Sequence, residues 1–581
     1  MLKDCIDTFK KIYEEKDDRI IIDNYVLPEG SYILVDGKGD IEKILEVNKE
    51  DTDRNDSMYY IFAEMDYLSR LVDMNKPVDP KKVIHSNNCF SFFIKKPNVN
   101  SKKLTGEVID NYYKNILYPE KRYEGKKKDM YLDIEKKYGK ADEKIIEKNK
   151  NWIKNRIYTI IEEENIKNDK NYLKIFFKAD MEQYKIESEK YIIPNIYNDA
   201  KYNIKIGDEV LGLPNDNMGL NSKKPYLEHK TRKNKLPYLI SEEDVMIQKK
   251  FFDYLMNYAS QGRTNIYISD SDIKCLTNDE SPDKDFSGYF LKVQKGKEVE
   301  IKDFDEIVLY ENKIKNLNIE NVLSIKYEGK EQHLNNYGPL ENWKDLKNVI
   351  NEVYFSKYLT NNYFTEPKDL KVYDPEIGRN ILRYRKAFFD WLYKGDEMVI
   401  RQVFPQVTMN LIENSICNGY ILRAKEQFNL RESIIKYFGG VKNMGDILKD
   451  ISDKLREKIK KDSTDQIETD KGYYFAVGQL VSFLISKNKS SKKMHSLINP
   501  ILNCSTDEKL KDELRKLFIK YNYDIWKDSK KFNNLYAMVI GYVPEKDGIM
   551  KDILIGGYLY SNLLYEKDKE EVKEDGKQEH E

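Results

Sequence analysis

The sequence predicts an α+β fold: a mixed N-terminal region with antiparallel strands, followed by an all-α C-terminal half ending in a helical bundle. Three patterns predict it. Between Ile20 and Val47 apolar residues alternate around the turn signals Pro28-Glu29-Gly30 and Asp36-Gly37-Lys38-Gly39, as a small antiparallel meander does. Strand-like runs return at "YLKIFF", "YIIPNIY", "NIYIS", "GYFLKVQ" and "DEIVLYE". Beyond Trp343 the apolar spacing becomes helical: Ile447, Ile451, Leu455 and Ile459 share one face, as do Leu510, Leu514, Leu517, Phe518 and Tyr521.

Taken in order, "MLKDCIDTFKKIYEE" is an amphipathic helix without the apolar centre of a signal peptide. The meander follows. Ile61, Met65, Leu68 and Val72 then mark a helix that Pro77 and Pro80 end, and "CFSFFI" (Cys89 to Ile94) is a strand. Residues 105–165 are densely and evenly charged, and read as helices. A polar loop precedes the helix "SEEDVMIQKKFFDYLMNYA". The expected divisions are an α+β region over 1–335, a helical connection over 336–443, a bundle of about five apolar helices over 444–565, and an acidic tail over 566–581. No repeat of solenoid period is present.

Of the 581 residues 34% are charged, yet they sum to a net charge of -1, so any polyanion must be met by local patches. Five cysteines and five histidines are scattered, with no CxxC, which predicts neither a zinc site nor a disulfide framework. The longest apolar run, Tyr473 to Ile485, is too short to span a bilayer, and a soluble, cytoplasmic protein is expected.

Catalytic patterns are hard to find. "DGKGDI" holds a GxG but no third glycine opening a helix, so it reads as a tight turn. There is no Walker loop, HExxH, GxSxG or spaced carboxylate cluster. His85 and Cys89 lack an orienting third residue, which favours a structural role for both. The expectation is a protein that is not an enzyme and uses no cofactor.

Three lysine-rich stretches stand out instead. Residues 76–103 carry seven lysines, Lys81 and Lys82 among them, against one aspartate. Residues 221–235 carry six basic side chains, including Lys223, Lys224 and Arg232, against Glu228. "SKNKSSKKMH" carries Lys487, Lys489, Lys492 and Lys493 and no acid. In the first two, Asn87, Asn88, Asn215, Asn217 and Asn221 offer neutral groups for base edges, while Gly212 and Gly219 allow close backbone approach. Lysines attract phosphate without reading sequence. Solvated faces in a lysine-rich chain are the plain alternative.

"DMNKPVDPKKVIHSNNCFSFFIKK", "GLPNDNMGLNSKKPYLEHKTRK" with "QKKFFDYLMNYA", and "YYFAVGQLVSFLISKNKSSKKMHSLINPILN" closely resemble the large subunit of type I-B CRISPR effector complexes (Cascade). The likeness runs in order from about residue 20 to 565. Several members of that family carry paired cysteines that look zinc-binding, and this chain has none. The resemblance implies a non-catalytic subunit of a ribonucleoprotein. Such a subunit lies by the 5′ handle of the CRISPR RNA, beside the handle-binding subunit and the repeated backbone subunit. It inspects target double-stranded DNA for the protospacer-adjacent motif and holds strands of the R-loop, and a helicase–nuclease is then recruited. Guide pairing reads most of the target, so the protein needs only a short motif reader and a basic path. On this view the first two stretches are candidates for the motif and the third for an R-loop strand. A scaffold without DNA contact and a cryptic nuclease are the competing classes.

The resemblance also implies that the C-terminal region is similar to a separate small subunit, which some type I systems make by internal translation. Met444 follows the helix stop Gly439-Gly440, whose codons begin GG and can encode a ribosome-binding site. A start there gives 581 − 444 + 1 = 138 residues. Met398 is the rival start, expected to fall inside a helix near Trp391 to Val403.

Overall fold

The computed structural model describes residues 2–48, 52–54, 56–197, 200–207, 209–214, 239–296, 298–327, 334, 337–440, 443–463, 465–489 and 495–566. Two compact units divide the chain: residues 1–277 with 288–306, and residues 278–287 with 307–581.

The N-terminal unit opens with α1 (Leu2–Lys16) and the single turn α2 (Arg19–Ile22). The first expected strand is therefore helical, because Asp18 O accepts from both Ile21 N and Ile22 N while those isoleucines bury. β1 (Gly30–Val35) and β2 (Ile41–Val47) form the expected antiparallel hairpin. One Asp36 carboxylate oxygen accepts from Lys38, Gly39 and Asp40 N at 2.8–2.9 Å and fixes its turn. α3 (Ser57–Ser69) starts where the Asp56 side chain caps Met58 N. β3 (Ser91–Lys95), the short α4 (Lys96–Val99), α5 (Gly106–Leu117), α6 (Lys126–Tyr138), α7 (Glu143–Arg156), the short α8 (Ile160–Glu163) and β4 (Tyr172–Phe177) follow.

The first sheet has the order β2-β1-β4-β3. β1 and β4 run parallel, which the long helical connection between them permits and which the sequence did not reveal. Lys174 of β4 lies in register with Tyr32 and Phe93, and its ammonium meets Asp66 of α3 at 2.5 Å. Tyr25 donates to the other Asp66 oxygen at 2.7 Å. This ion pair is buried, and desolvation pulls the Lys174 pKa down.

α9 (Met181–Asn195) contains most of "YIIPNIY", correcting the strand expected there. Ile192 and Ile193 favour strand by propensity, but Asp180 caps the helix and Tyr184, Ser188, Tyr191 and Asn195 bury at helical spacing. β5 (Ile204–Ile206), β6 (Glu209–Gly212) and β7 (Ile240–Ser241) pair in that order. α10 (Glu242–Ser260) leads to β8 (Asn265–Ile268), β9 (Ile273–Leu276), β10 (Phe286–Lys295) and β11 (Val299–Tyr310), ordered β11-β10-β8-β9. One apolar core joins α1, α10 and both four-stranded sheets.

The second unit contains the pair β12 (Asn318–Ile319) and β13 (Gly338–Pro339), then α11 (Trp343–Val349), α12 (Pro375–Lys394), α13 (Met398–Cys417) and α14 (Ile421–Tyr437). α15 (Met444–Lys458), α16 (Asp470–Ser486), the short α17 (Asn499–Leu502), α18 (Asp507–Tyr521), α19 (Lys530–Gly541) and α20 (Lys551–Leu559) complete it. Residues 307–335 fall with the helices, because Glu320 N donates to Ser433 Oγ and Leu323 N to Asn429 Oδ1. The core of the C-terminal bundle likewise includes Val322, Leu323, Met409, Ile412, Ile416, Ala424 and Phe428. The bundle therefore does not close at Met444. α16 and α20 cross in backbone contact: a Cβ on Gly478 would stand 2.2 Å from Leu554 O, and one on Gly557 2.3 Å from Phe475 O.

Candidate nucleic-acid interface

The first lysine-rich stretch divides into side chains that face water and side chains that do not. Its loop is organised by the buried Asp79, whose carboxylate accepts from Lys81 N (3.0 Å), Val83 N (2.7 Å) and Ile84 N (3.1 Å). The turn forces Lys82 to φ 56°, a left-handed conformation that a lysine tolerates only when its surroundings fix it. Lys81 and Lys82 are both exposed at this turn.

His85 anchors the far side of the loop. Its Nε2 faces Lys82 O at 2.8 Å and its Nδ1 faces Tyr172 Oη at 2.7 Å. A carbonyl only accepts, so Nε2 carries the proton and Nδ1 accepts from the tyrosine. Burial lowers the His85 pKa, which keeps this neutral tautomer in place. Both ring nitrogens are thus committed to holding the loop. Cys89 is buried, with its thiol pKa pushed well up by desolvation. Lys95, exposed at the end of β3, has its ammonium 5.8 Å from the Tyr172 ring centroid.

Asn87 and Asn88 require a correction, since neither presents an amide at the surface. Asn87 is 3% exposed and Asn88 is fully buried. The Asn87 amide donates to Leu68 O (3.0 Å), Arg70 O (2.8 Å) and Ser188 Oγ (3.3 Å). The Asn88 amide donates to Ser69 Oγ and Asn87 Oδ1, and its oxygen accepts from Phe90 N (2.9 Å) and Ser91 Oγ (3.1 Å). The pair satisfies the carbonyls left over at the end of α3 and ties them to β3 and α9. Two further lysines of the stretch also turn inward. Lys96 is buried between Lys167 O (2.6 Å) and Asp169 (3.2 Å), and Lys76 bonds to Asn195 O (2.8 Å) and Tyr197 O (2.5 Å).

Asn215, Asn217, Gly219, Asn221, Lys223, Lys224 and Arg232 lie outside the described residues. The segment connects β6 to β7, which pair antiparallel through Leu211↔Ser241 and Gly212↔Ile240. Tyr197 Oη contacts Val210 O and Ile240 O, one on each strand. A Cβ on Gly212 would collide with the Tyr197 ring at 2.4 Å, so this glycine serves strand packing.

In the second unit, Lys487 and Lys489 follow the end of α16, while Lys492 and Lys493 lie outside the described residues. Lys489 pairs with Asp524 at 2.8 Å and lies 5.3 Å from the Tyr523 ring centroid. Lys487 lies 4.7 Å from the Phe483 ring and 5.6 Å from that of Tyr565. Sequence reading passed over the aromatics beside them, although "IKYNYDIWKDSKK" already interleaves lysine with tyrosine and tryptophan.

Among the described residues no three His, Cys, Asp or Glu side chains are grouped to hold a metal ion, and no helix is long and apolar enough to cross a membrane. No protein-family model, curated protein or solved structure matches the chain.

Proposed function

We propose that the chain is the non-catalytic large subunit of a type I-B CRISPR RNA-guided surveillance complex. It recognises the protospacer-adjacent motif in target double-stranded DNA and stabilises the R-loop for a separate helicase–nuclease. Its further partners are the CRISPR RNA, the handle-binding subunit, the repeated backbone subunit and a small subunit. The three long sequence blocks support this reading. The observation that supports its DNA contact is the Asp79-organised turn, which presents the exposed Lys81 and Lys82 on a pre-formed loop. With Asn87 and Asn88 committed internally, motif reading passes to Asn215, Asn217 and Asn221, on the connection between β6 and β7. The burial of those two asparagines also favours the second reading, a scaffold that does not read the motif.

Binding of the assembled complex to duplexes with and without the motif separates the two. Asn217→Ala with Asn221→Ala should lower motif preference by about 1–3 kcal/mol for each base edge that is no longer read. Lys81→Ala with Lys82→Ala should weaken binding to every duplex and reduce its salt slope by about 1 for each phosphate no longer neutralised. Motif preference unchanged by the asparagine pair, and by adding Asn215→Ala to it, counts against this loop as the reader and favours the scaffold.

The small subunit is proposed to come from the same gene. Gly439, at φ 97°, ends α14, so its glycine needs no coding explanation. Asn443, which a start at Met444 removes, caps α15 by accepting from Gly445 N at 3.1 Å. Such a start also discards every core residue supplied by α13 and α14. Met398 is not inside a helix, as the sequence suggested, but opens α13 after Gly395 ends α12 at φ 73°. A start there retains Met409, Ile412, Ile416, Ala424 and Phe428, and the fold favours it. Expression with a C-terminal tag should give a short second band that Met398→Leu removes. A single full-length band ends the proposal.

A further inference from the structure

The end of α18 and the turn after it expose two large aromatic side chains three residues apart. Tyr523 is 63% and Trp526 76% exposed, whereas Trp343 and Trp391 of the same unit are buried. The Trp526 indole N–H donates to Asp528 at 3.2 Å, so its one polar atom is satisfied locally and its ring is left to solvent. Two exposed rings so close in sequence offer flat apolar faces to a planar ligand. Lys489 reaches this turn from the end of α16, beside the Tyr523 ring and paired with Asp524. Lys487 lies over Tyr565, itself 55% exposed. Lys520 and Lys527 are exposed on either side of the two aromatics in sequence.

We propose that this end of the unit binds an unpaired nucleic-acid strand, with bases stacking on Tyr523 and Trp526 and phosphates meeting Lys487 and Lys489. The proposal rests on the nucleic-acid reading above and adds the strand's state and the means of holding it. Paired bases in a duplex keep their faces against one another, so largely exposed aromatic rings suit bases that are already separated. Charge complementarity favours a polyanion: Lys489 stands at the Tyr523 ring, Lys487 also follows the end of α16, and exposed Lys520 and Lys527 flank the two aromatics in sequence. Against them stand Asp524, already engaged by Lys489, and Asp528, engaged by the Trp526 indole. That ion pair is exposed, with side chains 67% and 32% accessible, so it is weak and a phosphate can take the ammonium over. Stacking tolerates any base, which fits a strand whose sequence changes with every target.

The test uses the full chain with a poly-dT oligonucleotide and a duplex of equal length. Trp526 is the exposed indole, so poly-dT should quench tryptophan emission and the duplex should not. Tyr523→Ala and Trp526→Ala should each weaken poly-dT binding about 5-fold or more, and Trp526→Phe, which keeps a stacking face, should recover most of the loss. Duplex binding should be unchanged in all three variants. Unchanged poly-dT affinity in the double alanine variant, or emission indifferent to poly-dT, overturns the platform while leaving the motif-binding proposal standing. Loss of motif preference in the Asn217 and Asn221 variants with the platform intact would instead confirm that the two sites act separately.

Discussion

Two lysine-rich regions that look alike as sequence present opposite faces to water. In the N-terminal stretch the polar neighbours of the lysines turn inward: Asn87, Asn88, Lys76 and Lys96 all bond to the protein's own backbone. After α16 and α18, Lys489 stands beside the outward-turned ring of Tyr523, and Trp526 is exposed three residues further on. Charge density is the same kind of signal in both, and it does not report where neighbouring side chains point. An amide in a loop goes inward when leftover helix carbonyls need donors, and an aromatic stays outward when the core beneath it is already filled. Here Phe483, Phe518 and Phe532 fill that core with ring centroids 5.5–5.9 Å apart.

Asn88→Ala gives the largest expected effect. It strips partners from Phe90 N, Ser91 Oγ and Ser69 Oγ at a site closed to compensating water. Each unsatisfied buried group costs about 1–3 kcal/mol, so the N-terminal unit should lose about 3 kcal/mol or more. Urea unfolding followed by a probe in that unit measures it, since a chain of two units need not unfold in one step. Trp526→Ala, on the outward side of the comparison, should change stability by no more than about 0.5 kcal/mol. An Asn88→Ala variant of normal stability with altered DNA binding would reverse the assignment of this asparagine to the interior.

The contrast marks what the sequence could convey. The strands Ser91–Lys95 and Tyr172–Phe177 and helices such as Glu242–Ser260 were legible because apolar runs and caps are local signals. The exposed pair Lys81 and Lys82 was legible as a charge run after Pro80. The inward turn of Asn87 was not, because one of its partners, Ser188, lies 101 residues away on α9. The core shared by Met409, Phe428 and the helices beyond Met444 was hidden for the same reason, since periodicity shows that a helix has an apolar face but not what covers it. The helix over "YIIPNIY" was misread because two adjacent isoleucines spoke louder than a cap eleven residues upstream.

The inward lysines carry a smaller and pH-dependent consequence, clearest at Lys292 on β10. Its ammonium is buried, bonded to Thr264 Oγ1 (2.7 Å) and Asn265 Oδ1 (2.9 Å), and desolvation lowers its pKa to about 7. In the unfolded chain a lysine titrates near 10.4. Between those values the unfolded state binds the proton and the folded state does not, so folding releases it and stability rises with pH. Below about pH 7 both states are charged and the full cost of burying the ammonium is present. Lys292→Met removes the charge at every pH but leaves the Thr264 and Asn265 oxygens without this donor, which offsets part of the gain. The variant should therefore be more stable than the parent by about 1–2 kcal/mol at pH 6, with the advantage shrinking as the pH climbs towards 10. The comparison is a pair of urea titrations at each pH. An advantage that stays constant from pH 6 to 10 would mean that Lys292 titrates alike in both states, and that facing inward costs this lysine nothing.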